Sequence, residues 1–155
     1  MAAQPLPAMP SKPQQWYVTN PHRLVLEKKV MEQLHPQFYT QFVDGDKLAW
    51  IGDLVSQYSG EKYSVCLVYS ETFPSTGIDA FILEPTLDWN GRNPVHIYKN
   101  QKLCLFYPGD RSWETNTTGA TVVGWVAAWY FCYETYRHVG LWPGRAADAQ
   151  DIEWV

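Results

Sequence analysis

Apolar positions first recur at helical spacing after Asn20-Pro21, a cap residue followed by proline at the first helical position. Leu26, Val30, Met31 and Leu34 fall three or four apart, which predicts a helix with one apolar stripe, ended near His35 by Pro36. Lys28 and Lys29 read as its solvated side. The period then changes. Asp44-Gly45-Asp46 and Ser59-Gly60-Glu61 are turn signals on either side of an apolar run at 48–55, the first expected strand. Beyond them Tyr63, Val65, Leu67 and Tyr69 alternate with Ser64, Cys66, Val68 and Ser70, as in a half-buried strand. A third strand is expected at 80–83, and a last short hairpin from 95–98 and 103–107 around Asn100. Short turns between successive strands favour an antiparallel meander.

In the final third, Val122, Trp125, Trp129, Cys132 and Tyr136 recur at steps of three and four. They predict an amphipathic helix over 118–139 with an aromatic face, stopped by Gly140 and by Pro143-Gly144. A helix, about four strands, a loop carrying a cysteine and a long aromatic helix make an α+β architecture. Residues 1–15, rich in Pro, Gln and Ala, read as a flexible tail and 16–155 as one domain.

Composition narrows the function. A chain of 155 residues is long enough for one real core. Eight Trp and ten Tyr supply part of that core, and some are candidates for a binding surface. A net charge of −4 argues against a nucleic-acid partner. No run has the apolar length of a membrane span, and the start lacks the apolar segment of a signal peptide. The three cysteines contain no C-x-x-C pair, which argues against zinc or a disulfide framework. A cytoplasmic protein with free thiols, no metal and no cofactor is expected. Phosphate-loop, dinucleotide and serine-elbow motifs are missing from the sequence.

Cys66 and Cys132 sit on apolar patterns and read as core. Cys104 differs: Leu103-Cys104-Leu105-Phe106-Tyr107-Pro108-Gly109-Asp110 is a strand running out into a turn, where chemistry tends to sit. On pattern alone a core-strand cysteine and a reactive thiol both stay open. His96, eight positions earlier, is a candidate to orient or deprotonate the thiol or to donate to an oxyanion. A partly exposed strand histidine is the alternative.

Pro94-Val95-His96-Ile97-Tyr98, then Leu103-Cys104-Leu105-Phe106-Tyr107-Pro108, Trp113, Trp125-Val126-Ala127-Ala128-Trp129 and Gly140-Leu141-Trp142-Pro143-Gly144 together carry a resemblance. Over about 61–144 the chain resembles the stand-alone E2-like proteins of bacterial CBASS anti-phage operons, distant relatives of ubiquitin-conjugating enzymes. The resemblance implies the E2 fold: an N-terminal helix, a four-stranded antiparallel meander, a cysteine loop and a C-terminal helix. It makes Cys104 the nucleophile that takes an acyl group as a thioester and passes it to an amine. Trp113 looks like the tryptophan that E2 enzymes carry shortly after their cysteine. Those enzymes also carry His-Pro-Asn upstream, whereas here the matching stretch is His96-Ile97-Tyr98. Tyr98 and Asn100 are both left as candidates for the oxyanion or positioning role. The implied partner is the operon's cGAS/DncV-like nucleotidyltransferase, whose C-terminus would be the acyl donor, with a conjugation target besides. The length leaves no room for a fused activating domain. The competing expectation is a non-catalytic interaction module of the same fold, which binds and regulates the nucleotidyltransferase.

Overall fold

Asn20 starts the long N-terminal helix: its side-chain oxygen accepts a hydrogen bond from the Arg23 amide at 3.2 Å, with proline next in line. The computed structural model describes residues 14–105 and 113–143. In chain order these form α1 (Trp16–Thr19), α2 (Pro21–Leu34), β1 (Tyr39–Val43), β2 (Lys47–Val55), β3 (Lys62–Tyr69), β4 (Ile78–Glu84) and α3 (Gly119–Val139). Of the expected tail over 1–15 only Gln14 and Gln15 are described, and 106–112 of the expected cysteine loop lie outside the described residues.

The four strands make an antiparallel sheet in the order β1-β2-β3-β4. The expected number is right, but the membership shifts by one. β1 precedes the first expected strand, and among the described residues the expected last hairpin contributes isolated bridges, Ile97↔Leu103 and Phe81↔Lys102, in place of named strands. Both shifts have local causes. β1 is an edge strand, exposed along nearly its whole length, so no buried alternation marks it in the sequence. The last hairpin is interrupted by left-handed backbone at His96 (φ 58°) and Gln101 (φ 70°), which a regular ladder does not accept.

One sheet face carries Leu48 and Trp50 from β2, Tyr63, Val65, Leu67 and Tyr69 from β3, and Ile78, Ala80 and Ile82 from β4, all buried. The strand period of two puts them on one side. α3 lays Val122, Val126, Trp129, Tyr130 and Tyr133 into the same core, and Tyr130 stacks on Tyr63 with ring centroids 3.8 Å apart. Each such aromatic contributes about 1.5–3 kcal/mol by leaving water. The Thr118 side chain caps α3 at its start, and Gly140 ends it in the left-handed conformation at φ 78°. Its bounds match those expected to within one residue.

The α2 stripe needs correcting. Leu26 and Leu34 are exposed, and the buried residues are Glu27 and Met31. The buried face is held by polarity as much as by apolar area. The Glu27 carboxylate accepts from the Tyr69 hydroxyl and from the Gly119 amide, each at 2.7 Å, and from Arg23 at 3.2 Å. An anion thus sits on the first amides of α3, where the helix dipole favours it. Gly119 permits the approach, since a Cβ there would lie 2.9 Å from the Tyr69 oxygen. Further along α3, Glu134 accepts from Ser56 (2.7 Å), Ser59 (2.6 Å) and Tyr63 (2.8 Å), tying the β2–β3 turn to the helix. Burial, followed by the neighbouring carboxylates, pushes the Tyr63 and Tyr69 phenols above their ordinary range, so both stay protonated donors.

Candidate active site

Beyond β4 the chain returns to lie along its edge. The Leu103 amide donates to the Ala80 carbonyl at 2.8 Å, and Lys102 pairs with Phe81. A tight turn precedes this arm: the Gln101 amide donates to the Tyr98 carbonyl (3.0 Å), and the Tyr98 amide to the Lys102 carbonyl (2.9 Å). Asn100 sits at the exposed tip, where its side-chain oxygen accepts from the Lys102 amide at 3.1 Å. That oxygen serves the turn in the manner of an Asx turn.

Alternation along this arm decides where the thiol points. Leu103 and Leu105 are both buried in the core, so Cys104 between them is turned toward the other side. It is partly exposed, whereas Cys66 and Cys132 are buried. Burial, and secondarily the charge of Asp44, push the Cys66 thiol up, which suits an inert cysteine. On the outward side the Tyr98 phenol lies near enough to Cys104 to feel the charge of its sulfur. The nearby sulfur, followed by burial, raises the Tyr98 phenol above its ordinary range, so it stays protonated. The Lys102 ammonium lies over the Tyr98 ring, 4.9 Å from its centroid, and 3.8 Å from Asp79 of β4.

His96 is joined to Cys104 through backbone: its carbonyl accepts from the Cys104 amide at 2.9 Å. The same carbonyl accepts from the Trp129 indole of α3, also at 2.9 Å. The imidazole packs against Trp142 with centroids 4.5 Å apart. Burial lowers its pKa, which favours the neutral ring. Behind it Trp129 meets Trp142 and Trp89, and Trp89 meets Tyr133 and Tyr136. On the far side of 106–112, Trp113 donates to the Pro74 carbonyl at 3.0 Å and packs against Phe73. Arg23 holds the next stretch through the carbonyls of Thr115 (2.8 Å) and Thr117 (2.9 Å).

Of the residues singled out from sequence, the structure therefore joins His96 to Cys104 by main chain, sets the Tyr98 phenol near Cys104, and places Asn100 in the turn. Sequence reasoning missed Lys102 and Asp79, since a surface lysine and a strand aspartate carry no motif. It also missed Trp142 as the partner of the His96 ring. Among the described residues no group of three or more His, Cys, Asp or Glu is arranged to hold a metal ion. Among them, too, no helix is long and apolar enough to cross a membrane.

A family model described as Type II CBASS E2 protein matches residues 27–149, most of the chain. The chain belongs to that family. Its membership places it in CBASS anti-phage defence and agrees with the α+β meander and helices described above. The match spans the C-terminal half of α2, the whole sheet, the Cys104 arm and α3, so Cys104, His96, Tyr98 and Asn100 all fall inside it. A search of curated proteins gave no match.

Proposed function

We propose that this CBASS E2 protein is a conjugating transferase whose Cys104 carries an acyl group as a thioester. The observation that carries the reading is the partly exposed Cys104, turned out of the core between two buried leucines, in a chain of an E2 family. The Cys104 thiolate adds to the C-terminal carbonyl carbon of a partner that arrives activated, with a leaving group already on that carbon. A C–S bond forms, the leaving group departs, and the thioester remains. A target amine in its neutral form then attacks the same carbon, forms a C–N bond and expels the thiolate, and the proton lost from its nitrogen goes to the thiolate or to water. The Tyr98 phenol, which lies near Cys104 and stays protonated, takes the oxyanion or positioning role that ordinary E2 enzymes give to asparagine. His96 serves by fixing the Cys104 amide. The donor is the operon's cGAS/DncV-like nucleotidyltransferase, acting through its C-terminus, and the protein works in the cytoplasm.

Intact-mass measurement of the protein co-expressed with its operon neighbours tests this. Wild type is expected to gain the mass of a neighbour less one water. The gain should vanish on thiol treatment and in Cys104→Ala. Absence of any adduct, with the partner still co-purifying from both forms, would replace the transferase with a non-catalytic interaction module.

A further inference from the structure

We infer that β1 is a docking edge for a second copy of this chain, paired antiparallel about a two-fold axis at Gln41. The sheet has two edges, and the fold treats them differently. At β4 the returning arm covers the edge: the Leu103 amide donates to the Ala80 carbonyl at 2.8 Å, and the Ile82 amide to the Gln101 carbonyl at 3.4 Å. At β1, among the described residues, no backbone hydrogen bond reaches 39–43 from beyond the β1–β2 ladder. This edge also lacks the devices that keep a bare strand from pairing. Tyr39-Thr40-Gln41-Phe42-Val43 holds no charge and no proline, and its register with β2 runs without a bulge. Tyr, Thr, Phe and Val are strand formers, and Tyr39 and Phe42 stay more than half exposed.

The composition of the edge suits a copy of itself. Antiparallel pairing centred on Gln41 sets Tyr39 opposite Val43 and Thr40 opposite Phe42 of the other copy. Each exposed ring then meets a β-branched residue, and the two Gln41 side chains face each other. Asp44 and Asp46, beyond the end of β1, run toward the Pro36–Phe38 end of the other copy, so a chain of net charge −4 sets no carboxylate opposite another there. A groove of about 170 Å³ along the inner side of the edge is lined by Tyr17, Leu24, Lys28, Thr40, Phe42 and Leu48. Because Thr40 lies opposite the other copy's Phe42, that ring is set beside the groove. Residues 1–13 are a poorer occupant, since prolines at 5, 7, 10 and 13 lack the amide donor that a ladder needs. The paired sheet carries its two Cys104 arms at opposite edges, roughly 40 Å apart at about 4.8 Å per strand. Each Cys104 stays open to its own partners, so the pairing and the acyl-carrier reading stand or fall separately.

Sedimentation velocity on the full chain tests the pairing, with wild type, Gln41→Lys, Gln41→Glu and an equal mixture of the two variants. Gln41 is exposed, so both substitutions are expected to leave the monomer folded. A five-residue pairing is a small interface, and wild type is expected to pass from monomer to dimer as concentration rises. Each variant alone sets like charges opposite each other at the axis and should raise the dissociation constant by about two- to fivefold. The mixture sets opposite charges there and should return the constant to the wild-type value or below it. Hydrogen exchange at 39–43 should slow over the same range of concentration. Wild type that stays monomeric to about 1 mM overturns the inference. So does a dimer that both variants leave unchanged, or a loss that mixing does not recover, since neither has its axis at Gln41. Full protection of 39–43 in dilute monomer assigns the edge to the chain's own residues, and protection that needs an operon neighbour assigns it to that partner. Either result overturns pairing with a second copy.

Discussion

The two sides of the segment that carries Cys104 are built on different physics. On the inner side Leu103 and Leu105 are buried, the His96 carbonyl is held by Trp129, and a continuous set of aromatic rings lies behind. On the outer side Tyr98, Lys102 and Asp79 meet across one ring face and one long ion pair, in contact with water. The inner side has fixed geometry, and removing any part of it costs packing energy. The outer side contributes little stability, because exposed ion pairs and cation–π contacts are each worth about 1 kcal/mol or less. The contrast separates a rigid support from an exposed face: the inner side sets where the sulfur is, and the outer side is where it meets water.

Trp129→Ala breaks the supporting side most severely. The indole is fully buried and its loss removes the His96 bond as well, so unfolding stability should fall by about 3–5 kcal/mol in a denaturant titration. A loss below about 1 kcal/mol would show that the aromatic bed does not brace the site. Trp129→Phe sharpens the point, since it keeps much of the ring volume and deletes the hydrogen bond. Glu27→Gln should cost less, about 1–3 kcal/mol, by weakening charge-assisted bonds to Tyr69, Gly119 and Arg23. It acts at the start of α3, far along the helix from Trp129, so the two losses should add. Strong non-additivity would mean that α3 transmits strain along its length.

Legibility in the sequence follows the same division. α3 was readable to within a residue because Thr118, Gly140 and the step of three or four all agree. α2 was readable as a helix but not as a face: Leu26 and Leu34 fit the period better than Glu27 does, and no sequence rule favours burying a carboxylate over a leucine. What decided it was the Tyr69 hydroxyl, 42 residues away, together with the Gly119 amide. Glu134 was closer to legible, since it lies on the helical stripe shared by Val126, Tyr130 and Tyr133. At the site, Cys104, His96 and Tyr98 were marked by local pattern and by family resemblance. Lys102 and Asp79 were not, because their meeting depends on the arm folding back along β4.

The smallest expected effect is the pH dependence carried by His96, which sits where the two sides meet. Burial holds its folded pKa below the unfolded value of about 6.5. The unfolded chain therefore binds the proton more readily, and stability falls as pH drops below about 6.5 until the folded group also titrates. His35, at the C-terminal end of α2, is lowered by burial too and contributes in the same sense, so the wild-type slope alone is not diagnostic. His96→Asn isolates the effect. Asparagine accepts the left-handed backbone at φ 58° better than most residues and leaves the carbonyl to Cys104 and Trp129 in place. Melting temperatures compared at pH 7.5 and 5.5 should then drop less in His96→Asn than in wild type. An equal drop in both proteins would mean that the ring, packed on Trp142, takes up its proton without leaving its place. His96 would then be a support through its backbone alone, and the line between the two sides would run through a single residue.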